Sequence, residues 1–345
     1  MMKKLIFPLL FVLGISTHVD AQKPYKAYMV SNTHLDTQWL WTVQTTIDHY
    51  LYRTLTQNFW LIDHYPGYIF NFEGAVRYQW AKEYYPTEYE RLKNYIKAGR
   101  WNISGSSWDS TDPNIPSPES FFRNLLYGQE FFKKEFGKKS NDIFLPDCFG
   151  FGYTLPTIAA HSGIIGFSTQ KLQHRKLPFY GDHKLPFMFG LWEGIDGARI
   201  MAVPHAQDYV SRFDGQELSN NGKLVDLAKN GLNNTVYHYY GAGDRGGSPT
   251  IASVRSVETG MKGEGPVQII SARSGQLFDD YYPFEKHPEL LVFKGELLMD
   301  VHATGCYTSQ AAMKLFNRRN ELLADAAERA SVVAEWLGGA ALPAQ

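Results

Sequence analysis

Short apolar runs alternate with helix-like stretches along most of this chain, and this alternation restricts the fold more than any other feature of the sequence. Strand-like runs at residues 27–32, 143–145, 236–240 and 267–270 are separated by longer amphipathic or aromatic-rich stretches. Alternating strands and helices are typical of parallel sheets, because a crossover helix brings the chain back to the same edge. We therefore expect an α/β fold, either a barrel or a doubly wound sheet.

Four strand-like runs end in an ionisable residue that is followed by a loop. His34 and Asp36 follow the first run, Asp147 and Asp244 follow two others, and His302 follows an expected strand at 297–299. Since α/β barrels carry their chemistry at the carboxyl ends of the strands, this placement favours a distorted (β/α) barrel with one site at that end.

The His34-Leu35-Asp36 segment is the sharpest of these patterns. Residues two apart on a strand point to the same side, so His34 and Asp36 could bind one ion together. Imidazole with carboxylate suits zinc or a similar divalent cation, although such pairs also serve as ordinary polar groups. Asp147 before a glycine-containing turn fits a site carboxylate or a loop N-cap equally well. Asp244 in a glycine-rich loop fits a general acid or a simple turn residue.

The first residues predict a secretory signal peptide over residues 1–21. Lys3 and Lys4 precede an apolar run at 5–15, and Val19-Asp20-Ala21 forms a small-residue cleavage site. The run is too short to cross a bilayer, so we expect an exported, periplasmic or extracellular protein without membrane insertion after cleavage. The formal net charge of -1, without a polybasic run, argues against a nucleic-acid partner. Two cysteines allow one disulfide at most, and free thiols are the interpretation we favour.

Two helical patterns bear on the domain organisation. One helix is expected at about 76–98, ended by Gly99 as a C-cap. A second, longer pattern covers residues 309–336 and is rich in Ala, Leu, Arg and Glu. No strand pattern follows it, so we interpret the second helix as the first element of a further domain.

Eight segments together resemble glycoside hydrolase family 38, the retaining α-mannosidases. They are SNTHLDTQWLW at 31–41, DPNIPSPES at 112–120, LPDCFG at 145–150, STQKL at 168–172, GLWEGIDG at 190–197, GDRGG at 243–247, YTSQ at 307–310 and NRRNE at 317–321. The resemblance implies a seven-stranded type of barrel over residues 22–308, an incomplete helical bundle from 309 to 345, and α-mannoside glycans as substrates.

The resemblance also implies roles for individual residues. His34, Asp36 and Asp147 would bind zinc or another divalent metal, and Asp147 would also be the nucleophile that forms a covalent glycosyl intermediate. Asp244 matches the acid/base position of the family.

Four further residues are expected around the pocket. Trp39 would stack beneath the sugar, and Asp112, Lys171 and His302 would surround it. Lys171 stands where some members of the family carry arginine, so a bidentate contact at this position would be lost.

One departure from the family pattern affects the expected activity. The family's fourth zinc ligand is a histidine in a Gln-(Phe/His)-His-Asp motif, which this sequence lacks, and His302 precedes Tyr307 and is not that ligand. Family members are also longer than this chain. We therefore expect an N-terminal catalytic portion that binds zinc weakly and turns over slowly or not at all.

Two alternatives stay open at this point. A metal-dependent polysaccharide deacetylase also uses His and Asp at strand ends, but it would require an Asp-Asp pair after its first strand and a His-x-x-x-His motif, and the sequence contains neither of these. The other alternative is a glycan-binding pseudoenzyme fragment, which keeps the pocket without the complete ligand set.

Overall fold

The computed structural model of the protein describes residues 23–172, 175–177, 181–183, 185–299 and 304–339. Within these ranges the strands are β1 (Tyr25–Thr33), β2 (Phe70–Glu73), β3 (Trp101–Ser104), β4 (Asp142–Phe144), β5 (Gly166–Ser168), β6 (Arg175–Leu177), β7 (Gly181–His183), β8 (Gly190–Glu193), β9 (Arg199–Val203), β10 (Thr235–Ala242), β11 (Val267–Ser271) and β12 (Val292–Lys294). The α-helices are α1 (Val43–Thr45), α2 (Tyr52–His64), α3 (Ala75–Tyr84), α4 (Pro86–Lys97), α5 (Pro118–Phe136), α6 (Leu155–His161), α7 (Gly222–Lys229), α8 (Ile251–Lys262), α9 (Gln276–Asp280) and α10 (Ala311–Trp336). A π-helical stretch, Thr46–Leu51, joins α1 to α2.

The larger strands form two five-stranded sheets. The first has the order β10-β1-β2-β3, and β11 also pairs with β1; all of these pairs are parallel. The second has the order β12-β8-β9-β5-β4, in which only β8 and β9 are antiparallel. The predicted α/β class with parallel strands is confirmed, whereas closure into a seven-stranded barrel stays a prediction.

Strands β1 and β10 are buried over most of their length, as parallel strands that are covered on both faces must be. On β1, Ala27 and Met29 belong to one hydrophobic cluster, whereas Tyr28 and Val30 belong to a second cluster on the other face. Side chains alternate along a strand, so the row that begins at Tyr28 continues through Asn32 to His34. This alternation aims the imidazole to the same side of the sheet as the second cluster.

Two predicted elements differ from the observed ones. The helix expected at 76–98 is divided into α3 and α4, because Pro86 starts a new helix and Tyr85 before it has φ -134° and ψ 59°. A proline disfavours helical backbone at the residue before it, so α3 ends at Tyr84 and a new helix starts at Pro86. The strand expected at 297–299 is wrong: Leu297 forms only an isolated bridge with Phe151, and the nearby strand is β12.

Helix α10 is held by polar contacts to the start of α5. The Arg123 guanidinium donates two hydrogen bonds to Glu328, at 2.5 and 2.7 Å. Glu321 accepts from the Ser117 amide and the Ser120 hydroxyl, both at 2.8 Å. No described residue of α10 is buried. Among the described residues, no helix combines the length and apolarity needed to cross a bilayer.

Candidate active site

A cavity of about 950 Å³ opens beside the ends of strands β1, β4 and β10. Seven of the residues singled out from the sequence line it: His34, Asp36, Trp39, Asp112, Asp147, Lys171 and Asp244. The eighth, His302, lies outside the described residues, as does the whole predicted signal peptide. The cavity therefore gathers residues that are separated by up to about two hundred positions in the chain.

The loops that follow β1 and β10 are joined through their backbones. The His34 amide donates to the Ala242 carbonyl at 3.0 Å, and the Asp36 amide donates to the Asp244 carbonyl at 2.8 Å. The Gly246 amide donates back to the His34 carbonyl at 3.3 Å. The first bond continues the parallel pairing of β1 with β10, whereas the other two form an isolated antiparallel bridge between Leu35 and Arg245, and this bridge places Asp36 beside Asp244.

One imidazole and two carboxylates form a possible metal centre. Ligand atoms of His34, Asp36 and Asp147 all lie within 4.8 Å of one another, and His34 Nε2 lies 3.3 Å from Asp36 Oδ1. The His34 side chain is buried, whereas both carboxylates are about one-quarter exposed and so can be reached from the cavity. Nitrogen and oxygen donors in this number fit a divalent cation with open coordination positions, as in catalytic zinc sites.

Glu73, which the sequence analysis missed, holds the imidazole from behind. His34 Nδ1 donates to Glu73 Oε1 at 2.8 Å, and the Glu73 side chain is 1% exposed. Burial lowers the pKa of His34, but hydrogen bonds to Asp36 and Glu73 outweigh burial and raise the pKa to about 10. A divalent cation would replace the Nε2 proton in the same negative surroundings. Glu73 ends an apolar strand, so the strand-end pattern itself would have revealed it.

Lys171 is the basic partner of the expected nucleophile. Its Nζ lies 2.7 Å from Asp147 Oδ1 and 4.3 Å from the centroid of the Phe149 ring. Its side chain is only 13% exposed, so the ion pair is partly shielded from water.

The thiol of Cys148 donates to the Thr111 carbonyl at 3.4 Å, and burial raises the pKa of this thiol, which keeps it protonated.

Tyr209 was also missed, and it contacts both expected catalytic carboxylates. Its hydroxyl lies 2.9 Å from Asp244 Oδ1 and 3.3 Å from Asp147 Oδ1. The two carboxylate oxygens are therefore within about 6 Å of each other, compared with roughly 5–5.5 Å between the carboxyl groups of retaining glycosidases. Tyr209 lies in the loop after β9, where no motif or strand-end pattern marks it.

The rim of the cavity carries an exposed aromatic ring and a shielded carboxyl group. Trp39 is 61% exposed, and its ring meets the edge of Trp41 at 6.0 Å. Burial raises the pKa of Asp112, although Asp112 accepts hydrogen bonds from the Asn114 and Ile115 amides. A flat apolar ring beside carboxyl groups suits a sugar, which offers a C–H face and hydroxyl groups.

Comparisons with known proteins concern the family and the fold of this chain. The sequence profile of the glycosyl hydrolases family 38 N-terminal domain matches residues 24–296. Alpha-mannosidase G of Dictyostelium discoideum is 36% identical over 313 residues, which cover 90% of this chain and 28% of that protein. Alpha-mannosidase 2C1 of Homo sapiens is 30% identical over 305 residues, which cover 87% of this chain and 28% of that protein.

A solved structure supports the fold. The crystal structure of an alpha-mannosidase from Enterococcus faecalis V583 superposes with a TM-score of 0.63 at 21% identity, over 79% of this chain and 31% of that one. The chain thus spans less than a third of the length of each of these three relatives. The profile match covers most of the chain, and the chain therefore belongs to glycosyl hydrolase family 38.

Proposed function

We propose that this chain carries the catalytic domain of a retaining α-mannosidase that hydrolyses α-linked mannosides of glycans. The observation that carries the proposal is the placement of two carboxylates: Asp147 and Asp244 contact one tyrosine hydroxyl, and Asp147 also belongs to the possible metal centre. These two contacts limit the distance between the carboxylate oxygens to about 6 Å, which is compatible with the separation of roughly 5–5.5 Å between carboxyl groups in retaining enzymes. We take mannose as the sugar because the relatives are named alpha-mannosidases.

The two carboxylates have different surroundings, which suit two roles. Asp147, beside the Lys171 ammonium, would attack the anomeric carbon while the bond to the leaving oxygen breaks. Asp244 would give its proton to that oxygen. In the second half, Asp244 would take a proton from a water molecule whose oxygen displaces Asp147. Trp39 would stack on the sugar, and Asp112 would accept a hydrogen bond from a sugar hydroxyl.

His34, Asp36 and Asp147 would hold zinc or another divalent cation. When bound, the ion supplies Lewis-acid stabilisation to sugar hydroxyls and neutralises negative charge in the cavity. The described residues offer three ligating side chains, without the histidine motif expected for a fourth ligand. We therefore propose that the isolated chain binds zinc more weakly than a four-ligand site does, with correspondingly slow turnover.

The test is hydrolysis of an aryl α-mannoside by the purified chain at increasing zinc concentration. We expect slow turnover that rises with zinc and gives a product of retained configuration in a proton NMR time course. Asp147→Asn should abolish turnover, whereas Asp226→Asn on the exposed side of α7 should leave it unchanged. Absence of both hydrolysis and covalent labelling by a mannosyl fluoride at saturating zinc would refute the proposal.

The Asp147→Asn variant tests the pseudoenzyme alternative, and the choice of substrate tests the deacetylase alternative. A glycan-binding pseudoenzyme would keep its affinity for mannosides in Asp147→Asn, since binding does not need the nucleophile. A deacetylase would release acetate from acetylated polysaccharide and leave the aryl mannoside intact.

A further inference from the structure

Tyr209 is positioned to act on both carboxylates at once. Its hydroxyl lies within hydrogen-bonding distance of Asp244 and at the limit of that distance from Asp147, and its side chain is 9% exposed. A phenol has a single proton to donate. It can therefore donate to only one of these carboxylates at any moment.

The phenol ring is fixed by its surroundings rather than free to turn. Its ring meets the His34 ring edge-on, with centroids 5.9 Å apart and an interplanar angle of 85°. A Cβ atom on Gly243 would lie 2.3 Å from the ring carbon Cε2, so the glycine is what lets the ring lie here. The Asn32 amide group donates to the Tyr209 carbonyl at 3.2 Å, which fixes the backbone as well. The hydroxyl is thus held between the two carboxylates by contacts on three sides.

We propose that Tyr209 is a positioning residue that holds Asp147 and Asp244 at the separation needed for retention and donates its proton to whichever of them is ionised. The inference rests on the proposed function, because the charge changes place in a retaining reaction. In the retaining mechanism the nucleophile, here Asp147, has to be ionised before the first step, and the acid, here Asp244, has to carry a proton. In the glycosyl intermediate Asp147 is an ester and Asp244 is ionised.

The hydroxyl needs only to rotate about its C–O bond to follow this change, and no proton leaves Tyr209. A donor that is already in place when charge appears on a carboxylate stabilises that charge without rearranging its surroundings. Both half-reactions should therefore depend on the hydroxyl. Substrate binding should depend on it less, because the hydroxyl contacts protein carboxylates.

The test compares Tyr209→Phe with the wild-type chain at saturating zinc. Phenylalanine keeps the ring and its edge contact with His34 but removes the hydroxyl. Two rates are measured: covalent labelling of the protein by a fluorinated mannosyl fluoride, followed by mass spectrometry, and release of the label by water. We expect both rates to fall ten- to hundredfold, with one label per protein still reached and KM for an aryl mannoside little changed.

Tyr237→Phe is the matched control. Tyr237 is buried on β10, and its hydroxyl donates to the Ser274 carbonyl at 2.9 Å, so this variant also loses one buried hydrogen bond. Thermal unfolding of both variants shows how much stability each loses. We expect similar losses of stability but unchanged labelling rates in Tyr237→Phe.

The possible outcomes separate the two hypotheses. Unchanged rates in Tyr209→Phe, together with normal labelling of the wild type, would overturn this inference and leave the proposed function intact. Incomplete labelling at an unchanged rate would show a purely structural role and would overturn it too. A wild-type chain that neither labels nor hydrolyses would refute the proposed function, and the positioning role of Tyr209 with it.

Discussion

Replacing Glu73 by glutamine tests whether the buried carboxylate behind His34 supports metal binding. Glutamine has nearly the same size and can still accept a hydrogen bond from His34 Nδ1, but it lacks the negative charge. Carboxylates that accept from the second nitrogen of a metal-binding histidine fix its orientation and raise its basicity. The change therefore leaves the three ligating side chains in place and removes only the negative charge next to His34.

The magnitude follows from the contact. The hydrogen bond is 2.8 Å long and the carboxylate is almost fully buried, so solvent screens it little. Hydrogen bonds to charged groups contribute about 1.5–3 kcal/mol. Since about 1.4 kcal/mol corresponds to a tenfold change in affinity, we expect the Kd for zinc to rise about ten- to hundredfold. Measured losses for such supporting residues fall in the same range.

The assay is a competition titration with a chromogenic chelator, which reports zinc affinity without requiring turnover. Asp142→Asn is the matched control because Asp142 is equally buried and accepts from the Ser140 hydroxyl at 2.6 Å, but it is not one of the ligating groups. Its zinc affinity should equal that of the wild type. Equal affinities in Glu73→Gln and the wild type, or equal losses in the two variants, would refute the reasoning.

Three further predictions concern the nucleophile, the phenol and acid stability. Lys171→Met removes the ammonium 2.7 Å from Asp147, so covalent labelling should slow by about tenfold or more while thermal unfolding changes little. Gly243→Ala places a methyl group against the Tyr209 ring, so it should slow labelling and cost about 1–3 kcal/mol of unfolding free energy, measured in urea. Burial lowers the pKa of His238 to about 4. The unfolded chain takes up this proton near pH 6.5, so acid favours unfolding, and between pH 7 and 4 the wild type should lose up to about 3 kcal/mol more stability than His238→Leu.

Local chemistry explains which parts of the fold could be predicted. Strands β1, β10 and β11 contain the expected runs at 27–32, 236–240 and 267–270, because each is an apolar run with clear boundaries in composition. Ser117 caps α5 through a local contact of the kind that sequence encodes, in which its hydroxyl accepts from the Ser120 amide at 3.2 Å. The break at Pro86 was missed because the apolar periodicity continues across it. The pairing of residue 297 depends on Phe151, a contact that local sequence does not encode.

The candidate site also contains residues that the sequence pattern predicts and one that it does not. His34, Asp36 and Asp244 follow the neighbouring parallel strands β1 and β10, so their meeting at one edge followed from the pattern. Asp147 follows β4 of the other sheet, so its place in the same cavity also depends on how the two sheets lie together. Tyr209 reaches the cavity from within a loop, and its position depends on the tertiary placement of that loop. No spacing rule could have identified it.

The separation of the two carboxylates is a property of the sheet as much as of the loops. The backbone bond between Asp36 and the Asp244 carbonyl belongs to an antiparallel bridge that follows the paired strands β1 and β10, so the two loops cannot move apart independently. On the opposite side the buried Arg77 guanidinium donates to the Leu35 carbonyl, which fixes the His34–Asp36 turn from beneath. Tyr209 then spans the remaining gap to Asp147. The backbone bond sets the distance between Asp36 and Asp244, and the Tyr209 hydroxyl sets the distance between Asp244 and Asp147. Loss of that hydroxyl should therefore disturb the carboxylate pair while the metal centre keeps its ligands.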